Sequence, residues 1–382
     1  VRTYDVAIIG GGIIGVSIAF ELAAEKLRVI VLDRQEPGRE ASWAAAGMLS
    51  PVPHSPRDLP LVPFARESLR LYPRYVAAIE EASGKPTAHV REGALELFSS
   101  ADAERECENR VHELRKLGFS AESISADALR KLDPAISPSA SAALRLPEEE
   151  AIEPRVLMDA LLTTLRNRGA GIRSGCEASG LLIEKDRCIG VIAGGEKLLS
   201  EHVVLAAGCF SGEIAKRASL KQLAPTRPVR GQMLALRPKS GVAVLRHVVR
   251  SEHGYLVPRK DGKIVVGSTL EEAGFEKQVT AAGLHKILDG AIKMCPELAS
   301  AEVIETWAGL RPGTPDDLPI LGPVDLVGLW MATGHYRNGI LLAPATAKLV
   351  CEFILGVKLS FDVDRFSPMR FGRTEMGAQR SV

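Results

Sequence analysis

Asp5–Asp33 reads DVAIIGGGIIGVSIAFELAAEKLRVIVLD. The apolar run Val6 to Ile9 is followed at once by Gly10, Gly11, Gly12 and Gly15. The dense apolar stretch from Ile13 to Ala23 predicts a helix buried over much of its surface, and Arg28 to Leu32 predicts a second strand ending on Asp33. Each part has a task in dinucleotide binding. Gly10 permits the tight turn, Gly12 lets the backbone approach a pyrophosphate, and Gly15 lets helix and strand pack closely. The helix N-terminus turns unpaired N–H groups and a positive dipole end toward the phosphates. Asp33, 23 residues beyond Gly10, is placed to accept a hydrogen bond from a ribose hydroxyl. NAD and FAD both offer that hydroxyl, so the motif sets a Rossmann-like α/β domain without choosing between them.

The rest of the chain bounds the answer further. At 382 residues it is long enough for about two domains. A 46% hydrophobic and 25% charged composition is that of an ordinary globular protein, which excludes disordered and collagen-like classes. With 48 Lys+Arg against 47 Asp+Glu there is no overall field to draw nucleic acid or an anionic membrane. No segment approaches the ~18 apolar residues of a membrane span, and the first residues show no secretory signal pattern. Six cysteines at scattered positions, none in C-x-x-C spacing, fit reduced buried thiols. A soluble cytoplasmic protein is expected.

Beyond Asp33, the small residues of Ala41-Ser42-Trp43-Ala44-Ala45-Ala46-Gly47-Met48 suit either close approach to a bound group, with Ser42 donating, or a tightly packed helix. Val203 to Gly208 reads as a buried strand ending in small residues. Arg250 to Arg259 alternates as a strand, and Lys263 to Ser268 is a second, joined through Asp261-Gly262 as a two-residue turn. That register sets Tyr255 opposite Ser268 and Val257 opposite Val266, with His253, Tyr255 and Val257 on one face. Arg311, in Trp307-Ala-Gly-Leu-Arg-Pro-Gly313, reads as buried, and a buried guanidinium must be paired. Its partner is either an internal acid or a bound carboxylate, which the guanidinium fork matches. Asp316-Asp317 reads as solvated loop charge and not a metal pair, and Glu148-Glu149-Glu150 as an exposed turn. Asn338 to about Leu355 predicts a helix presenting the N–H groups of Asn338, Gly339 and Ile340.

The stretches IIGGGIIGVSIA, ASWAAAGML, HGYLVPR, WAGLRPGT and GHYRNGILLAPAT carry a resemblance. The chain resembles the FAD-dependent amine oxidases of the D-amino acid oxidase and sarcosine oxidase group, and within it the glycine-oxidising members tied to thiamine thiazole synthesis. The resemblance implies FAD, held without a covalent bond because no cysteine matches the attachment motif of the covalent branch. It places the cofactor contacts at Ile13, Ile14, Asp33, Arg34, Ala41, Ser42, Ala46, Gly47, Met48, Ala178 and the run His335, Tyr336, Arg337, Asn338, Gly339, Ile340 and Leu341, beside Gly10, Gly12, Gly15 and Gly208. It makes Arg311 the substrate-carboxylate arginine, Arg337 a second substrate contact and Tyr255 a hydroxyl donor to that carboxylate. His253 either tunes this pocket or is structural, and His335 has a positioning role.

The same resemblance implies a discontinuous FAD-binding domain (1–82, 150–215 and 307–382) and a substrate-binding domain (83–149 and 216–306) built on antiparallel sheet. Pro134 to Pro147 reads as connecting structure between them. The implied reaction is oxidation of glycine, or a small amine or D-amino acid, to the 2-oxo acid, ammonia and hydrogen peroxide, with molecular oxygen as electron acceptor. Sarcosine or D-amino acid oxidation, or a dehydrogenase passing electrons to a partner, are the neighbouring possibilities. The near-neutral charge argues against an RNA-modifying flavoprotein. A homotetramer is implied for the assembly.

Overall fold

The computed structural model describes residues 3–220, 223–239 and 245–371. The remaining parts of the expected domain segments, 1–2, 221–222, 240–244 and 372–382, lie outside them. Thr3–Ile9 forms a strand whose Val6 to Ile9 are buried, and Ile13–Ala24 the helix after it. Val29–Leu32 then pairs parallel with the first strand. Glu196–Leu205 pairs parallel on its other side, followed outward by Leu329–Thr333, while Gly171–Arg173 extends the sheet beyond Val29–Leu32. Apolar residues cover both faces of these central parallel strands, as parallel pairing requires, and antiparallel strands flank them. On one face the first helix packs with Val62–Ser83, Pro154–Asn167 and the last helix, Gly339–Leu355, around Ile8, Ile18, Leu22, Tyr72, Leu161 and Leu342.

A second eight-stranded sheet runs in the order Glu302–Gly313, Arg227–Arg237, Ile264–Gly267, Gly254–Pro258, Val248–Ser251, Ala94–Phe98, Ala142–Leu146 and Glu122–Ser125. Its pairs are antiparallel except Val248–Ser251 with Ala94–Phe98. The expected domain boundary at 307 falls inside Glu302–Gly313, which pairs along its whole length with Arg227–Arg237. Ala142–Leu146 occupies the stretch read as connecting structure, with every side chain but that of Arg145 buried.

Two expectations about the hairpin are corrected. Arg250 to Arg259 is not one strand: Val248–Ser251 turns through Glu252 and His253 into Gly254–Pro258, with the His253 N–H donated to Ser251 Oγ at 3.1 Å. Gly254, at φ +132°, makes that reversal possible. His253 therefore sits in a turn and does not share the face of Tyr255 and Val257. The next connection has three residues, Lys260-Asp261-Gly262, because Arg259 and Lys263 close the ladder at 2.8 Å and of the three only Gly262 takes a positive φ, +81°. That is a type I turn with a glycine bulge, one residue longer than the two-residue turn. Tyr255 consequently faces Gly267, and Val257 faces Val265.

Candidate active site

The two sheets enclose a cavity of about 1210 Å³, larger than the ~300–1,000 Å³ of an ordinary small-molecule pocket. Gly10, Gly12, Asp33, Arg34, Ala178 and Gly208 line one end, and Tyr255, Arg311 and Arg337 the other. Ile13, Ile14, Ala41, Ser42, Ala46, Gly47, Met48, His335, Tyr336, Asn338, Gly339 and Ile340 lie along it, and His253 joins the lining from its turn. Two expected contacts do not line it. Gly15 packs behind the loop, where a β-carbon would stand 2.0 Å from the Gly10 carbonyl oxygen. Leu341 points into the helical core.

At the nucleotide end the chain prepares its own donors and acceptors. Gly10 takes φ +109°, and a β-carbon there would meet the Ala206 carbonyl oxygen at 2.5 Å. Asp33 accepts the Gly11 N–H at 2.7 Å and the Gln35 N–H at 3.0 Å, so the carboxylate braces the loop it follows. Burial raises its pKa above the usual aspartate range, against those two bonds. Ser42 Oγ caps the first helix by accepting the Ile13 N–H at 2.8 Å, leaving its own proton free to be donated. Gly47, at φ +77°, is dictated by packing as well, since a β-carbon would collide with the Ile152 carbonyl.

A clasp over this end was not foreseen. The Arg34 guanidinium lies 3.6 Å from the Phe210 ring centre, and Phe210 stacks on Phe275 at 5.0 Å. Phe275 belongs to the segment after Gly267, which crosses from the second sheet. Lys277 in the same segment pairs with Glu40 at 3.0 Å, and Glu40 also pairs with Arg34. Phe210, Phe275 and Lys277 carry no local pattern, because the partners they meet lie far away in sequence.

At the other end a row of cross-strand neighbours runs Met233, Gly267, Tyr255, Arg250 and Glu96. Neighbours in such a row share one face of the sheet. The Tyr255 hydroxyl lies over Gly267 and donates to Met233 Sδ at 3.1 Å, a weak acceptor. Arg311 donates to Ser268 Oγ at 2.6 Å and to the Thr269 carbonyl at 3.3 Å, leaving three of its five N–H donors. Among the described residues it has no acidic partner. Arg337 is exposed at the rim beside Tyr336.

Beyond Tyr255 the wall is charged and paired, which corrects the reading of the glutamate run. Glu148 is exposed, but Glu149 and Glu150 are buried. Glu149 accepts two bonds from Arg250, at 3.0 and 2.9 Å, and one from Ser50 at 2.6 Å. Its pKa is raised by burial, although Arg250 opposes the shift. Glu150 pairs with His89 and Arg91. Asp316 and Asp317 are likewise not free solvated charge. Asp316 holds Arg370 at 2.8 Å, and Asp317 lies 3.7 Å from Arg227.

The last helix begins at Gly339, with Asn338 as its cap. The Asn338 N–H is already given to the His335 carbonyl at 2.9 Å, so of the three groups expected to face the cavity, Gly339 and Ile340 remain. His335 is buried and bonded through Nε2 to Thr346 Oγ1 at 3.0 Å; burial pulls its pKa down to about 3. A neutral imidazole tied to the helix it precedes suits positioning.

A dinucleotide loop at one end of a long cavity, and at the other an arginine with no acidic partner among the described residues, suit a dinucleotide-dependent enzyme that takes a small anionic substrate. The chain belongs to the FAD dependent oxidoreductase family DAO, whose model matches residues 5–353. It is 34% identical over 369 residues to a glycine oxidase of Pseudomonas putida, covering 95% of this chain and 98% of that one. It is also 34% identical to a bifunctional ThiO/ThiG protein of Trichormus variabilis, over 97% of this chain and 55% of the relative. Its fold matches the crystal structure of glycine oxidase from Geobacillus kaustophilus with a TM-score of 0.91 at 30% identity, covering 97% and 99% of the two chains.

Proposed function

We propose that this protein oxidises glycine to glyoxylate and ammonia with FAD held non-covalently, passing the electrons to oxygen to give hydrogen peroxide, and that the product serves thiamine thiazole synthesis. The observation that carries the reading is Arg311, half-buried in the cavity with three N–H donors uncommitted and no acidic partner among the described residues. The names borne by relatives at 34% and 32% identity support the choice of glycine. The cradle fits FAD: a glycine loop, a ribose-directed carboxylate at Asp33, and two helix N-termini open on one long cavity.

When bound, FAD supplies the acceptor for the hydride that leaves the substrate α-carbon. The chain's residues do the rest. Arg311 binds the substrate carboxylate through the guanidinium fork, and the Tyr255 hydroxyl turns from Met233 Sδ to donate to the same carboxylate. Ser268 and the Thr269 carbonyl fix the guanidinium from behind. Arg337 closes the rim as a second carboxylate contact. Held by one end, glycine presents its α-carbon and neutral amine in a fixed pose, and positioning is the main contribution. The Gly339 and Ile340 N–H groups, at the start of the last helix, would face a bound flavin and supply positive potential to it.

Non-covalent attachment is supported by the cysteines. All six are buried, and Cys209, the one that lines the cavity, has its thiol pushed up to about 12 by burial. Six buried free thiols also suit a reducing, cytoplasmic setting. No described helix is long and apolar enough to cross a membrane. A homotetramer is the proposed assembly. Oxygen uptake with glycine, sarcosine and D-proline tests the function. Glycine is expected to be turned over, and Arg311→Ala to reduce kcat/KM by on the order of 30- to 1,000-fold or more, as expected when a carboxylate loses its bidentate partner. Undiminished turnover by that variant overturns the assignment.

A further inference from the structure

Pro344 sits one turn inside the last helix, where it has no N–H to give to the carbonyl of Ile340, four residues earlier. That carbonyl is satisfied from another helix. The Tyr72 hydroxyl, on Val62–Ser83, donates to it at 2.5 Å. One residue along, Ser68 Oγ donates to the Leu341 carbonyl at 2.6 Å and accepts the Ala345 N–H at 3.2 Å, so a side-chain hydroxyl is inserted into the ladder beside the proline. Ser68 and Tyr72 are both fully buried. Burial also holds the Tyr72 phenol far above its ordinary pKa, so it stays a donor.

A third hydroxyl continues the same face of that long helix. Tyr75 shares a 2.6 Å hydrogen bond with Ser17, and Ser17 Oγ donates to the Ile13 carbonyl at 2.6 Å. Positions 68, 72 and 75, spaced by four and three, lie on one helix face. That face reaches the first turns of both helices whose N-termini open on the cavity.

We propose that Ser68 and Tyr72 are positioning residues for the redox chemistry: they hold the first turn of the last helix, opened by Pro344, so that the Gly339 and Ile340 N–H groups stay aimed at the flavin end of the cavity. The inference rests on the FAD reading given above. An unsatisfied carbonyl in a dry core drives its turn to rotate toward another donor. Rotation of this turn carries the adjoining N–H groups away from the site where negative charge accumulates. Because proline withholds the internal partner, the alignment of the dipole end is set by the long helix and not by the last helix alone.

Sulfite tests this without turnover. It adds to oxidised flavin, bleaches the visible band and places negative charge on the ring, so its Kd reports how well the protein stabilises that charge. In the FAD-loaded protein, Tyr72→Phe is expected to weaken sulfite binding at least about fivefold, the scale of one buried carbonyl left unpaired. Adding Pro344→Ala restores an N–H to the Ile340 carbonyl and is expected to recover most of that affinity. Thermal melting of both variants runs alongside. A Tyr72→Phe protein with a lowered melting temperature but unchanged sulfite Kd reduces Tyr72 to packing and overturns the inference. A folded double variant that recovers nothing overturns it too. A wild-type protein that binds FAD but no sulfite overturns the placement of flavin charge against this helix, and the inference with it.

Discussion

The Arg311 guanidinium lies directly on Gly231: a β-carbon built there would stand 2.2 Å from Nη1 and 2.4 Å from Nη2. Tyr255 has the same relation to Gly267, with its phenolic oxygen 2.4 Å from the corresponding position. Two glycines on neighbouring strands thus provide flat seats for the two side chains assigned to the substrate carboxylate. Gly231→Ala must therefore displace the guanidinium. Misplacement of a binding group by about 1 Å can cost on the order of 100-fold. Steady-state kinetics should show kcat/KM for glycine falling by about that factor, while flavin content stays at the wild-type level.

The clasp over the nucleotide end should govern how long FAD stays bound. The Lys277–Glu40 pair is partly exposed, so its removal is worth no more than about 1 kcal/mol. Lys277→Ala is expected to speed FAD release by up to about fivefold at low salt, with the difference vanishing as salt screens the pair. Phe275→Ala removes the stack on Phe210 and should act more strongly, with little salt dependence. Recovery of flavin fluorescence after dilution measures both rates.

His335 sets a sign for the acid side of the stability profile. Its folded pKa is depressed to about 3, while the unfolded chain carries an ordinary histidine near 6.5. Between those values the unfolded state binds a proton that the folded state refuses. Stability is therefore full above about pH 6.5 and falls as pH drops toward 3, by roughly 1.4 kcal/mol per unit from this group. His335→Gln should flatten the loss between pH 6.5 and 4.5 relative to wild type. Denaturant midpoints across that interval provide the comparison, and an unchanged slope would mean the imidazole is not held neutral.

The dinucleotide loop was legible because its constraints are local. Gly10, Gly12 and Gly15 answer to backbone geometry within one turn, and their spacing records it. Arg311 and Tyr255 stood out as residue types, and the structure brings both to the cavity. What escaped depends on distant partners or on one residue of turn length. Asp261-Gly262 fits a two-residue or a three-residue hairpin, and the longer one shifts Tyr255 from Ser268 to Gly267. Glu149 looked like exposed charge because Arg250, which buries it, lies 101 residues away. Ser68 and Tyr72 carry no motif, and their meaning appears only beside Pro344, across more than 260 residues.

An anaerobic titration of the FAD-loaded protein with glycine, followed by flavin absorbance, addresses substrate and cofactor together. Stoichiometric bleaching of the visible band, reversed on admitting oxygen with release of peroxide, is the expected result. A flavin that stays oxidised at saturating glycine contradicts glycine oxidation while leaving the family assignment in place.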